Sequence, residues 1–140
     1  MTTCYPACFY KEGNVYSVIF PDLHYLATDG DSLENAMDAA IDALAGYILT
    51  AREEGYVLPK ASALQSIDPQ KVSETVYGDS FPGECFVSLV SVDVKEYART
   101  HFHDSVKKTL SIPSWLNDLA IKRGINFSKV LQDALMDMLL

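Results

Sequence analysis

The sequence predicts an α+β protein in two parts. A first domain spans residues 1–100, with antiparallel strands and one long helix, and a smaller strand–helix–helix unit spans residues 105–140. Three observations carry this prediction. Residues 4–20 hold two runs rich in aromatic and β-branched side chains around a Gly-Asn turn. Residues 31–52 repeat apolar side chains at helical spacing. After residue 104 the pattern restarts, first alternating and then helical. With 140 residues, one ordinary domain or one domain plus an appendage is the natural size.

Cys4–Tyr10 and Val15–Phe20 form the expected hairpin, joined by Lys11-Glu12-Gly13-Asn14, where Gly13 and Asn14 tolerate a positive φ. Pro21 ends the second strand, and a short third strand fits Tyr25–Thr28. The helix has Asp31 as expected N-cap, with Glu34 three residues on completing a capping box. Leu33, Met37, Ala40, Ile41, Leu44 and Ile48 form its apolar stripe, Asp38 and Asp42 lie on the polar side, and Gly55 marks its end. Residues 56–84 lack periodicity, but so long a structureless loop is unusual, so a short strand or helical turn is expected within it. Phe86–Val94 reads as a strand and Lys95–Thr100 as a short helix, followed by a joint at His101-Phe102-His103-Asp104.

In the last segment Val106, Lys108, Leu110 and Ile112 alternate with Lys107, Thr109 and Ser111, the pattern of a two-faced strand. Pro113 stops it and opens a helix carrying Trp115, Leu116, Leu119 and Ala120. After Arg123-Gly124, either Asn126 or Ser128 caps a second helix with Val130, Leu131, Ala134, Leu135, Met138 and Leu139. A unit this small buries too little alone and is expected to associate with a copy of itself.

The net charge of −8 conceals an asymmetry. Residues 1–100 carry 6 basic and 15 acidic side chains, whereas residues 101–140 carry 5 basic and 4 acidic. An acidic body and a basic segment imply two surfaces for two kinds of partner. No apolar run is long enough to span a bilayer and no secretory signal is visible, so a cytoplasmic protein is expected. Three cysteines fall far short of a disulfide scaffold. Cys4, Cys8, Cys85 and His24 lack the second pair a structural zinc site needs, and buried free thiols are the expectation.

The segment Lys107-Lys108-Thr109-Leu110-Ser111-Ile112-Pro113, continued by Leu116, Ala120, Gly124-Ile125-Asn126-Phe127-Ser128, Leu131 and Ala134-Leu135, resembles a ribbon-helix-helix DNA-binding module. Tyr5-Pro6-Ala7, Phe20-Pro21-Asp22-Leu23, Thr28-Asp29-Gly30-Asp31-Ser32-Leu33-Glu34 and Ala36 resemble the HicB antitoxins. Where that family often continues Pro-Gly-Cys, His24-Tyr25-Leu26 stand here. The resemblance implies a degenerate ribonuclease-H-like domain that blocks a HicA-type, mRNA-cleaving toxin. It also implies a C-terminal module that dimerises, or pairs as a dimer of dimers, and represses its own operon by binding operator DNA.

On that reading Lys107, Thr109 and Ser111 point at base edges from an antiparallel ribbon in the major groove. Asn126, Phe127, Ser128 and Lys129 surround a helix N-terminus suited to phosphate. Asp22, Asp29 and Asp31 are candidate contacts for a basic partner. The same acids, with Glu34, raise the rival reading of a metal-dependent nuclease. Helix capping and turns explain them more simply, so no catalytic residue, metal or cofactor is expected. A second rival is a plain repressor with a ligand-sensing domain.

Overall fold

The computed structural model describes residues 1–102 and 104–140. The part of the expected joint that falls on His103 therefore lies outside the described residues. Four strands form one antiparallel sheet: β1 (Thr2–Glu12), β2 (Val15–Phe20), β3 (Leu26–Gly30) and β4 (Cys85–Asp93), in the order β3-β2-β1-β4. The hairpin turn is as expected except that only Gly13, at φ +62°, takes the left-handed conformation. Pro6 sits inside the central strand β1, where a missing N–H would break a ladder. It is tolerated because β2 reaches only as far as Cys8 in the register, so Pro6 faces β4 alone, opposite Leu89.

Helix α1 (Leu33–Glu53) covers one face of the sheet. Its cap is Ser32, whose Oγ accepts from the Asn35 N–H at 3.0 Å; the expected Asp31 instead accepts from the Asn35 side chain. The helix starts one residue later because Gly30 lies directly against its first turn. A Cβ on Gly30 would stand 2.3 Å from the Ala36 nitrogen. The buried arc is centred on Ala36, Ala40, Leu44, Ala45, Ile48 and Ala51, while Leu33 is exposed and Met37 and Ile41 are half-buried. Small side chains on this arc let the helix lie close over Tyr5, Ala7, Phe9, Val18, Phe20, Val90 and Val92.

The segment whose sequence lacks periodicity serves both faces: Leu58 packs against the α1-side core, while Ile67, Val72 and Phe81 cover the opposite face. It holds a single 3-10 turn at Leu64–Ser66 and helix α2 (Pro69–Tyr77), which begins at a proline after the Asp68 cap. Side-chain bonds to the backbone hold it in place. Tyr5 donates to the Pro59 carbonyl and Tyr10 to the Pro69 carbonyl at 2.7 Å. The Gln70 amide clamps Phe81, accepting from its N–H at 2.7 Å and donating to its carbonyl at 3.0 Å. Beneath it Cys8, Tyr10, Ile19 and Val72 form a second, smaller core.

After β4 the chain forms α3 (Val94–His101), capped by Asp93. Residues 104–112 carry no regular secondary structure and are exposed, which corrects the strand expected over Val106–Ile112. A strand is stable only beside another, and the single chain offers none here. Helices α4 (Ser114–Lys122) and α5 (Phe127–Leu139) follow as expected, joined through Gly124 at φ +66°, but neither buries a single residue. Contact with the first domain is polar: Lys95 pairs with Asp137, and Arg99 with Asp133 at 3.2 Å.

The Gly30 packing generates a test. Gly30→Ala forces backbone against backbone and should destabilise the protein by about 1–3 kcal/mol, as overpacking does. Chemical denaturation monitored by circular dichroism measures it, and an unchanged midpoint would contradict the close approach.

Candidate functional site

Two surfaces gather the residues that sequence reasoning singles out, and they differ in chemistry. The first is acidic. Between Lys11 and Arg52 the chain has no basic residue but carries Glu12, Asp22, Asp29, Asp31, Glu34, Asp38 and Asp42. On α1, Glu34, Asp38 and Asp42 are exposed at i, i+4 and i+8, one above another on the side away from the sheet. Asp29 and Asp31 lie exposed just before the same helix. None of these five carboxylates takes part in an ion pair among the described residues. Like charges at this spacing cost a few tenths of a kcal/mol per pair, so the ridge is a site of uncompensated repulsion. Asp42 is partly occupied, accepting from the Tyr97 hydroxyl at 2.9 Å. Burial, followed by that hydrogen bond, pushes the Tyr97 phenol up to about 12.

Asp22 behaves differently from its neighbours. It is half-buried, and its two oxygens accept from the Ser62 N–H at 2.8 Å and the Ser62 hydroxyl at 2.6 Å. It thereby fastens the 57–66 segment beside the turn between β2 and β3. Of the expected partner contacts, Asp29 and Asp31 face solvent and Asp22 is turned inward. The structure adds Glu34 and Asp38, which the sequence explains equally well as a capping residue and as ordinary polar surface. The legible signal is the forty-residue stretch without a basic side chain.

Nor do the acids assemble a metal-binding constellation. Asp22 is committed to Ser62 and Asp31 to Asn35, and among the described residues no group of three or more His, Cys, Asp or Glu side chains could hold a metal ion. Two of the three thiols, Cys8 and Cys85, share the smaller core. Cys8 is buried and pushed up to about 11, chiefly by that burial, whereas Cys85 is half-buried and Cys4 exposed, correcting the expectation that all three are buried.

The second surface is the C-terminal unit. Lys107, Thr109 and Ser111 are all exposed in the irregular segment 104–112. Asn126, not Ser128, caps α5, accepting from the Lys129 N–H at 3.1 Å; the Ser128 hydroxyl accepts from the Gln132 amide at 3.0 Å. Phe127 opens the helix, partly exposed. The Lys129 ammonium lies 2.7 Å from Asp133, and this pairing holds the Asp133 carboxyl below the usual carboxylate range. Around these polar groups the unit exposes a large apolar area: Val106 is 87% exposed, Trp115 68%, Ile121 61% and Met138 81%.

Comparison with known proteins joins both surfaces to one family. No curated protein sequence matches the chain. Among solved structures, it is similar to a chain of a toxin–antitoxin complex from Streptococcus pneumoniae, with 34% identity over 99% of both chains and a TM-score of 0.62. It is also similar to the antitoxin HicB of Burkholderia pseudomallei, with 22% identity over 98% of this chain and 96% of that one and a TM-score of 0.49. The profile of the family described as HicB-like antitoxin of bacterial toxin–antitoxin system matches residues 5–132, across both the acidic domain and most of the apolar unit. This chain belongs to the HicB-like antitoxins.

Proposed function

We propose that the protein neutralises a HicA-type, mRNA-cleaving toxin by binding it directly through the acidic domain, and that the C-terminal unit dimerises and represses the operon by binding operator DNA. The observation that carries the first half is the carboxylate ridge of α1 with Asp29 and Asp31 beside it. A toxin that grips RNA presents positive charge where its substrate binds, so an antitoxin ridge of matching sign can occupy that surface. Asp22 contributes indirectly, by fixing the segment it holds through Ser62. The domain acts as a ribonuclease-H-like scaffold that binds rather than cleaves, needing neither metal nor cofactor, in the cytoplasm where a toxin acting on mRNA must be met. Among the described residues, no helix is long and apolar enough to cross a membrane.

The second half rests on the exposed apolar side chains. Residues 106–112 lack a strand partner within the chain, and a second copy supplies one: two such segments paired antiparallel make a ribbon with Val106, Leu110 and Ile112 turned to the helices. Lys107, Thr109 and Ser111 then face the major groove, which admits a two-stranded ribbon. Asn126, Phe127, Ser128 and Lys129 place free N–H groups and a cation beside phosphate. To bind there, Lys129 exchanges Asp133 for the DNA backbone. Two dimers can pair further through the same module.

The ridge makes a quantitative prediction. Glu34→Lys combined with Asp38→Lys should weaken binding of the toxin encoded beside this gene at least about tenfold, mainly by slowing association. The thermal midpoint should change little, because the lysine introduced at position 38 gains attraction to Asp42, while the one at position 34 repels it and opposes the dipole of the first turn. Surface plasmon resonance at two salt concentrations reads the effect, and unchanged association would remove the ridge from the interface.

DNA binding separates into base reading and phosphate binding. Thr109→Ala or Ser111→Ala should cost about 1–3 kcal/mol per base-edge interaction on operator DNA and little on scrambled DNA. Lys129→Ala should weaken both alike and flatten the salt dependence by about one unit of slope for each phosphate left without its lysine. Gel-shift titrations on the two DNAs test this, and equal weakening on both for Thr109→Ala would show that the ribbon does not read bases.

A further inference from the structure

A small cavity of about 210 Å³ opens at the C-terminal end of α1, lined by His24, Tyr47, Thr50, Ala51, Glu54 and Tyr56. It falls below the roughly 300–1,000 Å³ usual for metabolite pockets and is of side-chain size. Its walls are held in place. The His24 ring lies 2.8 Å from the Tyr47 hydroxyl through Nδ1 and 3.4 Å from the Tyr56 hydroxyl through Nε2. A neutral imidazole has one N–H and one bare nitrogen, so one tyrosine donates to it and the other accepts. The rings of His24 and Tyr56 are tilted by 50° with centroids 5.8 Å apart.

The backbone is strained to achieve this. His24 and Tyr25 both have left-handed φ, +54° and +56°, the only non-glycine residues among those described to do so. Each costs about 1–2 kcal/mol relative to ordinary backbone. Strain of this kind persists where the surroundings enforce it, and it clusters at binding sites.

The electrostatics of the pocket have one sign. Glu54 is its acidic lining residue, and the C-terminal end of a 21-residue helix, its negative pole, lies there. No Lys or Arg lines it: Arg52, close by in sequence, donates to the Leu140 carbonyl at 3.2 Å. Two tyrosines, an acidic residue and a helix C-terminus around one small cavity suit a cation that stacks as well as pairs, which is the chemistry of a guanidinium.

We infer that this pocket receives an arginine side chain of the bound toxin, its guanidinium against Tyr47 and Tyr56 and paired with Glu54. The inference rests on the toxin-binding function and adds a point of specificity to it: the ridge attracts a basic surface, and the pocket selects one residue on it.

The test has two arms, both on the full-length chain. In the first, N-acetyl-arginine methylamide is titrated while the ring resonances of His24, Tyr47 and Tyr56 are followed by NMR, with N-acetyl-norleucine methylamide as the uncharged control. The arginine derivative should give saturable shifts, weakened about fivefold or more by Glu54→Gln, and the norleucine derivative none. Absent or equal shifts would overturn the pocket. In the second, Glu54→Gln and Tyr56→Leu should each weaken toxin binding about tenfold, as loss of an aromatic or charged anchor does. Normal toxin affinity in both variants would overturn the toxin as donor of the arginine. A wild-type chain that titrates with arginine but binds no toxin would locate the failure in the toxin-binding function instead.

Discussion

β1 must bury both of its faces at once, and the rest of the first domain is arranged to let it. Tyr5, Ala7 and Phe9 look toward α1, while Cys8 and Tyr10 look toward Ile67, Val72 and Phe81. A strand with two dry faces needs a layer on each side. One layer is α1, with alanines where it meets the sheet, and the other is built from Ile67, α2 and Phe81 and fastened by the Tyr10 hydroxyl of β1. Tyr5 and Tyr10 are each apolar in body and polar at the tip, so the same side chains fill the cores and fasten the covering backbone.

That arrangement sets what remains outside. With its alanine arc committed to the sheet, α1 turns Glu34, Asp38 and Asp42 outward, and the strained turn at His24-Tyr25 is pressed against the end of the same helix. The ridge and the pocket are therefore two consequences of one packing arrangement, at the side and the end of α1. Neither core includes a residue beyond Tyr97. The C-terminal unit is accordingly joined to the domain by ion pairs at the surface, which contribute little to stability, and leaves its apolar side chains exposed.

Much of this is legible in the sequence wherever a local rule decides the structure. Gly13 makes the hairpin turn, the apolar run Phe86–Val94 marks β4, and the α5 cap is narrowed to Asn126 or Ser128, of which the structure uses Asn126. The α1 cap falls on Ser32 instead of Asp31 because Gly30 has to touch the first turn, a tertiary contact with no local signature. The 56–84 segment is opaque because its bonds run from tyrosine, aspartate and glutamine side chains to distant backbone, and such bonds leave no periodicity. Residues 106–112 alternate as a strand does and yet form none alone, since alternation records which faces differ and not whether a ladder partner is present. The acidic ridge is hidden for another reason. Asp31 and Glu34 are accounted for by capping, and Asp22 looks like its solvent-facing neighbours until Ser62 is seen to take both its oxygens. The left-handed pair His24-Tyr25 is unreadable, because side chains of that size rarely adopt such backbone.

The central claim is a division of labour, with toxin binding in residues 1–102 and self-association in residues 104–140. Light scattering on a chain ending at Phe102, alone and mixed with the neighbouring toxin, tests it most directly. The account predicts a folded monomer that forms a one-to-one complex with the toxin, while the full chain is at least a dimer. A truncated chain that still dimerises, or one that is folded yet leaves the toxin unbound, would contradict it.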